Sequence, residues 1–410
     1  MEFSTKVLHG RSAKQFQNGA TLPPISQVSA FSYDTAEELE KVFANKAPGF
    51  AYTRIANPTV DAFERRICEL EGGLAATACS SGMAAISAAL LNILQSGDEV
   101  IAGSGLFGGT IDLFRDLEEF GVKTNYVIHV TAEEVEKKIT EKTKVIFGEI
   151  IGNPGLDVMD ISSVAEVAHA HGIPLIVDAT TATPYLINPI KYGSDIVIHS
   201  SSKYINGSGN SISGIIVDGG KFKWNNEEKF PVFANYKKFG NIAFTARLRN
   251  DTWRNIGGCL SPMNAYMNVV GIETLALRMQ RICDNALALA KALENTENIK
   301  VNYPGLESSP YYPLVKKQFG GSGGGIVTIR AGSKEKAYSL MNLLKYALKA
   351  TNIGDTKTLV IHPASTIYLH STEEQKNNAG VYDDTIRISV GIEDANDLIE
   401  DFLGAVSSIN

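Results

Sequence analysis

The chain has 410 residues, of which 44% are hydrophobic and 20% charged, with a formal net charge of −7. That length exceeds what one core usually serves, which points to two domains with a short arm. The composition suits a soluble globular enzyme, and the scattered lysines and arginines argue against a nucleic-acid surface. The chain opens without an apolar leader and has no apolar run that could span a bilayer, so the cytoplasm is the expected location and no membrane partner is expected. Cys68, Cys79, Cys259 and Cys283 do not stand at metal-ligand or redox spacing, so they read as free, mostly structural thiols in a reducing compartment.

Residues 1–60 read as irregular, with Pro-Pro at 23–24, Pro-Gly at 48–49 and Asn-Pro at 57–58. So long a segment fits poorly as a loop within one compact domain, and an arm lying on a neighbouring subunit accounts for it. From Asp61 to Glu71 the pattern is an amphipathic helix, and 80–94 opens with small residues and continues as a buried one. Short β-rich runs follow at 99–102, 144–150, 174–179, 195–200 and 214–218, with helical patterns between several of them, such as 161–172. Apolar strands alternating with helices predict an α/β fold whose mainly parallel sheet is covered on both faces, over about 61–260. Ser261 and Pro262 cap and open a long helical stretch to Glu294, which bridges to a mixed α and β domain at 261–410. The glycines of 319–325 read as a turn between strands rather than a nucleotide loop.

In an open parallel sheet, ligands bind beyond the carboxyl ends of the strands. Asp178 ends one such strand, and Lys203 follows another after Ser200, Ser201 and Ser202. Taken singly they are as well explained as surface charges. Ser80-Ser81-Gly82-Met83 opens an apolar helix, so its free N–H groups and positive dipole end can hold an anion, although plain capping explains it equally well alone. Together with the hydroxyls of Ser200 and Ser202 these residues make a cup for a phosphate. A lysine, an acid at a strand end and a phosphate cup are the parts that pyridoxal 5'-phosphate requires: an amine for its aldehyde, an acid for its pyridine nitrogen and a seat for its phosphate.

These residues sit in a longer run of motifs: P-P-I-S-Q-V-S-A-F-S-Y (23–33), Y-T-R-I-A-N-P-T (52–59), L-F-G-G-T (106–110), I-G-N-P (151–154), P-L-I-V-D-A-T (174–180), D-I-V-I-H-S-S-S-K-Y (195–204), N-I-G-D-T-K-T-L-V-I-H-P-A-S-T (352–366) and I-R-I-S-V-G-I-E (386–393). On them the chain resembles the Cys/Met-metabolism family of fold type I pyridoxal-phosphate enzymes, built like aspartate aminotransferase, and within it the O-acetylhomoserine sulfhydrylases. The resemblance implies that Lys203 bears the cofactor, that Asp178 pairs with its ring nitrogen and that Asn153 bonds its phenolic oxygen. It implies a phosphate seat of Ser81, Gly82, Met83, Ser200 and Ser202, with Thr180 also at the cofactor, completed by Tyr52 and Arg54 of a neighbouring subunit. Arg387 is implied to bind the substrate carboxylate, in a pocket also lined by Asn352 and Tyr52; an exposed structural arginine is the plain alternative. The implied reaction replaces the γ-acetoxy group of O-acetyl-L-homoserine by sulfide or a small thiol, giving homocysteine or methionine and acetate. The implied assembly is a homotetramer, and the implied sulfur donors include a thiocarboxylate carrier protein. A methionine or homocysteine γ-lyase and a cystathionine γ-synthase of the same family are the alternatives.

Departures from the family's pattern bear on that choice. Phe107 stands where a tyrosine usually stacks on the cofactor, Gly207-Ser208-Gly209 replaces glycine-histidine-glycine, and Tyr368 replaces a histidine. A phenyl ring stacks but delivers no proton. Acetate, a weak base, departs without one, whereas a thiolate benefits from an acid, so Phe107 favours an O-acyl substrate. Gly109, where the family's methionine γ-lyases carry a cysteine, points the same way.

Overall fold

The computed structural model describes residues 1–10, 16 and 19–409. It contains two sheets. The larger is formed by β1 (Ala75–Cys79), β2 (Glu99–Gly103), β3 (Lys123–Val127), β4 (Thr143–Glu149), β5 (Leu175–Asp178), β6 (Ile196–His199) and β7 (Gly214–Asp218), in the order β1-β7-β6-β5-β4-β2-β3. Strands β2 to β6 pair in parallel, while β7 runs antiparallel to both β6 and β1. No helix intervenes between β6 and β7, so the chain returns without the crossover a parallel pair demands. The apolar runs seen in the sequence are the central strands, buried on both faces. The sequence reading passed over β1 (A-A-T-A-C), whose small residues carry little β preference, and β3 (K-T-N-Y-V), a polar edge strand.

The helix Pro58–Glu71 ends at the expected residue but starts three residues before the expected Asp61. Asn57 caps it by accepting from Thr59 N at 3.0 Å, Pro58 occupies the first turn, and Gly72 ends it at φ 72°. The long stretch after Ser261 is two helices, Pro262–Glu273 and Leu275–Glu294, broken at Thr274. Gly271 lies against the backbone of 205–206, where a β-carbon would sit 2.3 Å from Asn206 O. Arg278 donates to the Gly271 carbonyl at 2.6 Å, just ahead of the break.

The smaller sheet joins β8 (Lys300–Asn302), β9 (Ile326–Arg330), β10 (Leu348–Lys349), β11 (Leu359–Ile361) and β12 (Thr385–Ser389) in the order β10-β11-β12-β9-β8. Helices Leu275–Glu294 and Ala395–Ile409 share its apolar core, which includes Leu289, Val327, Ile386 and Phe402. The N-terminal segment, expected to be irregular, contains helices Phe3–His9 and Ala36–Phe43; its residues 11–15, 17 and 18 lie outside the described residues. Among the described residues no helix is long and apolar enough to cross a membrane.

Candidate active site

Register brings the chemistry together. Glu149 ends β4 and pairs with Asp178 at the end of β5, while Asp178 pairs with Ile198 of β6, two residues before the serine run opens. The turn after β6 then carries Ser200, Ser202 and Lys203 to the same edge. A cavity of about 240 Å³ opens there. Ser81, Gly82 and Met83 line one end, with Ser200 and Ser202. Phe107, Asn153, Asp178 and Thr180 line its flanks, and Lys203 and Arg387 reach it as well.

At the first end, Ser81 caps the helix Gly82–Leu91 by accepting from Ala84 N at 3.0 Å, and the first-turn N–H groups of Gly82 and Met83 have no acceptor within the helix. A β-carbon at Gly82 would stand 2.6 Å from Ser200 Cβ, so only glycine lets this helix start approach the end of β6. The result is a cradle of donors beside a hydroxyl, suited to a phosphate. Ser202 is differently engaged: its hydroxyl donates to Ser213 O at 3.0 Å and accepts from Ser213 N at 2.8 Å, bracing the lysine turn against the start of β7.

Asp178 accepts from Thr180 N at 2.9 Å and Thr180 Oγ1 at 2.5 Å, and Thr180 Oγ1 in turn accepts from Ser200 N at 2.8 Å. Burial raises the Asp178 carboxyl above the usual range, opposed by the Thr180 bonds and by His199. Glu149 is raised well above it by burial and by Asp178, although it accepts from Phe107 N at 2.7 Å. Lys203 Nζ donates to Asn352 Oδ1 at 2.6 Å. Burial, with Arg387 nearby, pulls its amine down to about 8. Arg387 donates to Asn153 Oδ1 and to Asn352 O, both at 3.1 Å, which leaves its buried Nε without a partner among the described residues. Burial also lowers this guanidinium to about 10.

Tyr52 and Arg54 are expected at a neighbouring subunit's site, and Tyr368 replaces a histidine of the family's pattern. Tyr52 and Arg54 do not line the cavity; Arg54 donates to Arg254 O at 2.7 Å and lies 5.5 Å from the Tyr52 ring centre. Tyr368, buried, donates to Leu106 O at 2.9 Å and so anchors the loop that presents Phe107. The sequence reading missed Glu149, although the rule that selected Asp178, an acid at the carboxyl end of a buried strand, selects it equally. It also missed Ile212, Thr351 and Ile367 on the cavity wall, which carry no local chemical signature.

A strand-end acid, a half-buried amine of lowered basicity and a glycine-cleared anion cradle define a pyridoxal-phosphate site, and the residues present fit that group. The match extends over the whole chain: residues 4–407 match the family described as Cys/Met metabolism PLP-dependent enzymes, and this protein belongs to it. Its cofactor is therefore pyridoxal 5'-phosphate. The homocysteine synthase of Schizosaccharomyces pombe is 40% identical, over 98% of each chain. The O-acetyl-L-homoserine sulfhydrylase of Leptospira meyeri is 38% identical, over 99% of this chain and 96% of its own. A crystal structure from Campylobacter jejuni, described as an O-acetylhomoserine (thiol)-lyase with a pyridoxyl-lysine phosphate, superposes with a TM-score of 0.95 at 33% identity, covering 99% of this chain and all of its own.

Proposed function

We propose that this protein is a transferase of methionine biosynthesis that replaces the acetoxy group at Cγ of O-acetyl-L-homoserine by sulfide or a small thiol, releasing acetate and homocysteine or methionine. One observation carries the proposal: a half-buried lysine amine of lowered basicity shares its cavity with an arginine whose Nε has no partner among the described residues. When bound, pyridoxal 5'-phosphate supplies the electron sink that makes the substrate's α and β protons acidic. Arg387 holds the α-carboxylate through its fork of donors, which fixes Cα beside Lys203. Lys203, uncharged once freed, takes the α proton and then a β proton, and returns protons after the sulfur nucleophile has added at Cγ. Asn352 steers the amine by accepting from Nζ. Asp178 serves the ring nitrogen and Asn153 the ring's phenolic oxygen, while Ser81, Gly82, Met83 and Ser200 seat the phosphate. Phe107 covers the ring without offering a proton, which suits a leaving group as weakly basic as acetate.

The arm reading rests on exposed apolar surface. The helix Ala36–Phe43 buries none of its residues, and Val28, Leu39 and Phe43 stand open on its side of the chain. A neighbouring subunit covering that surface would receive Tyr52 and Arg54 at its own phosphate seat, in a dimer-based homotetramer. We place the arm at 1–60, the cofactor domain at 61–260 and the second domain at 261–410, and the protein in the cytoplasm. Free sulfide, methanethiol and a thiocarboxylate carrier are the candidate donors. Steady-state kinetics of the holoenzyme over the acetyl, succinyl and phospho esters of homoserine with sulfide test the function. Homocysteine formed fastest from the acetyl ester supports it; α-ketobutyrate and ammonia from methionine as the dominant activity would refute it.

A further inference from the structure

The cysteines stand far apart in sequence, but the fold sets two of them face to face. Cys79 ends β1, and Cys259 lies in the loop leading to the helix Pro262–Glu273; the two form an antiparallel bridge. The bridge is flanked by a bond from Ser80 N to Gly258 O at 2.8 Å. A bond linking the residue after one member to the residue before the other marks Cys79 and Cys259 as a non-hydrogen-bonded pair. In such pairs the α-carbons are about 4.5 Å apart and the side chains leave on one face. A disulfide spans α-carbons roughly 4.4–6.8 Å apart, so this pair lies within its reach without backbone movement.

The two thiols are unequal. Cys79 is fully buried, its Sγ directed at Thr77 O at 3.8 Å, and burial pushes its thiol far above the ordinary value. Cys259 is half-buried and lines a cleft of about 860 Å³, with Arg249 and Trp253 also on its walls. Cys259 is therefore the sulfur that an incoming oxidant meets, and Cys79 the resolving partner behind it.

We propose that Cys79 and Cys259 form a reversible intramolecular disulfide, an oxidative modification site directly beneath the phosphate cradle. The oxidant is a hydroperoxide. The Cys259 thiolate attacks the terminal peroxide oxygen, the O–O bond breaks, and the displaced oxygen takes a proton to leave as water or an alcohol. Cys79 sulfur then attacks Cys259 sulfur, the S–O bond breaks as S–S forms, and the departing hydroxide leaves as water with the Cys79 proton. Two electrons pass from the two sulfurs to the peroxide. The cross-link joins the residue preceding Ser80-Ser81-Gly82 to a loop that packs on the same helix: a β-carbon at Gly258 would lie 3.8 Å from Ala84 Cβ.

The test treats holoenzyme with hydrogen peroxide and maps its peptides without reduction. Trypsin leaves Cys68 and Cys79 on one peptide, so a second cleavage after Glu69 or Glu71 is needed to tell them apart. The expected product joins the Cys79 and Cys259 peptides, separates on thiol reduction, and lowers the thiol count of the denatured protein from four to two. Cys259→Ser should keep its three remaining thiols under the same treatment. Four surviving thiols in the wild type, a Cys68–Cys259 link, or Cys259 trapped as an unlinked sulfur acid would overturn the proposal.

Discussion

Arg278 is a buried guanidinium whose bonds go to carbonyls and a hydroxyl. It donates to Tyr204 O at 2.6 Å, Ile205 O at 3.2 Å, Gly271 O at 2.6 Å and Thr274 Oγ1 at 3.1 Å. It thus ties the two residues after Lys203 to the helix break at Thr274. Gly207 exists partly for its sake: a β-carbon there would stand 2.0 Å from Arg278 Nη1. Burial lowers the guanidinium to about 10 from an ordinary 12.5, which puts the cost of burying its charge at about 3 kcal/mol. Each hydrogen bond from a charged donor to a carbonyl contributes about 1.5–3 kcal/mol. Arg278→Met removes three such bonds and recovers the charge-burial cost, so the net destabilisation is about 2–6 kcal/mol. For a chain of this length, with an unfolding entropy of about 2 cal/mol/K per residue, 1 kcal/mol moves the thermal midpoint by about 1 °C. The expected drop is therefore about 2–7 °C in scanning calorimetry. Because the bonds hold the lysine turn, the variant's kcat should fall more than its KM rises, and Arg278→Lys, lacking the fork, should rescue only partly. A variant that melts with the wild type would refute the assignment.

Lys203→Met in the apoenzyme removes a half-buried amine lowered to about 8. With a folded value below the unfolded one, the unfolded chain binds more protons between about pH 8 and pH 10.5, so wild-type stability rises with pH across that window. The variant should lack this rise and exceed the wild type at pH 7 by about 3 kcal/mol; a parallel pH profile for both proteins would contradict the depressed amine. Phe107→Tyr should leave O-acetylhomoserine turnover roughly intact while raising elimination from methionine, checked by α-ketobutyrate release; a collapse of the first activity counts against the leaving-group reasoning. Arg387→Lys, which loses the fork, should raise KM for O-acetylhomoserine by about tenfold to a hundredfold, the effect of about 1.5–3 kcal/mol; an unchanged KM would remove Arg387 from carboxylate binding.

Much of the cofactor site was legible because its parts follow short rules. Asp178 closes an apolar run, Lys203 follows another, and Ser81 with Gly82 opens a helix; each is readable within a few residues. The sheet's central strands were legible for the same reason, since burial on both faces writes an unbroken apolar run. What the sequence withheld was long-range. Nothing local pairs Arg387 with Asn153, Lys203 with Asn352, or Arg278 with the turn at 204–205, because each contact joins elements far apart in the chain. The break at Thr274 was likewise hidden, since the helical pattern continues through it, as were the tertiary contacts beside it, Gly271 against Asn206 and Arg278 on the Gly271 carbonyl. Cys79 and Cys259 escaped for a related reason, since spacing in sequence says nothing about strand register.

The adjacent acids Glu149 and Asp178 show how one architecture gives two carboxyls different work. They are register partners at the ends of neighbouring strands, both buried, so simultaneous ionisation is disfavoured. The balance is set by what surrounds each. Glu149 bonds to Phe107 N, faces the charge of Asp178, and is raised further. Asp178 accepts from both the N–H and the hydroxyl of Thr180, and His199 on the next strand favours its charged form. His199 is itself fixed by a 2.6 Å bond from Nε2 to Glu71 Oε1, with both side chains fully buried. The surroundings of Asp178 thus favour its charged form more than those of Glu149 do, in keeping with the proposed place of Asp178 against a cationic ring, while Glu149 holds the Phe107 loop. Glu149→Gln should therefore leave cofactor affinity within about threefold of wild type, since the amide oxygen still accepts from Phe107 N and 1 kcal/mol is about a fivefold change. Asp178→Asn should weaken cofactor retention on dialysis far more, read from the loss of its near-visible absorbance. If the two amide variants lost cofactor equally, the division of roles between the carboxyls would be wrong.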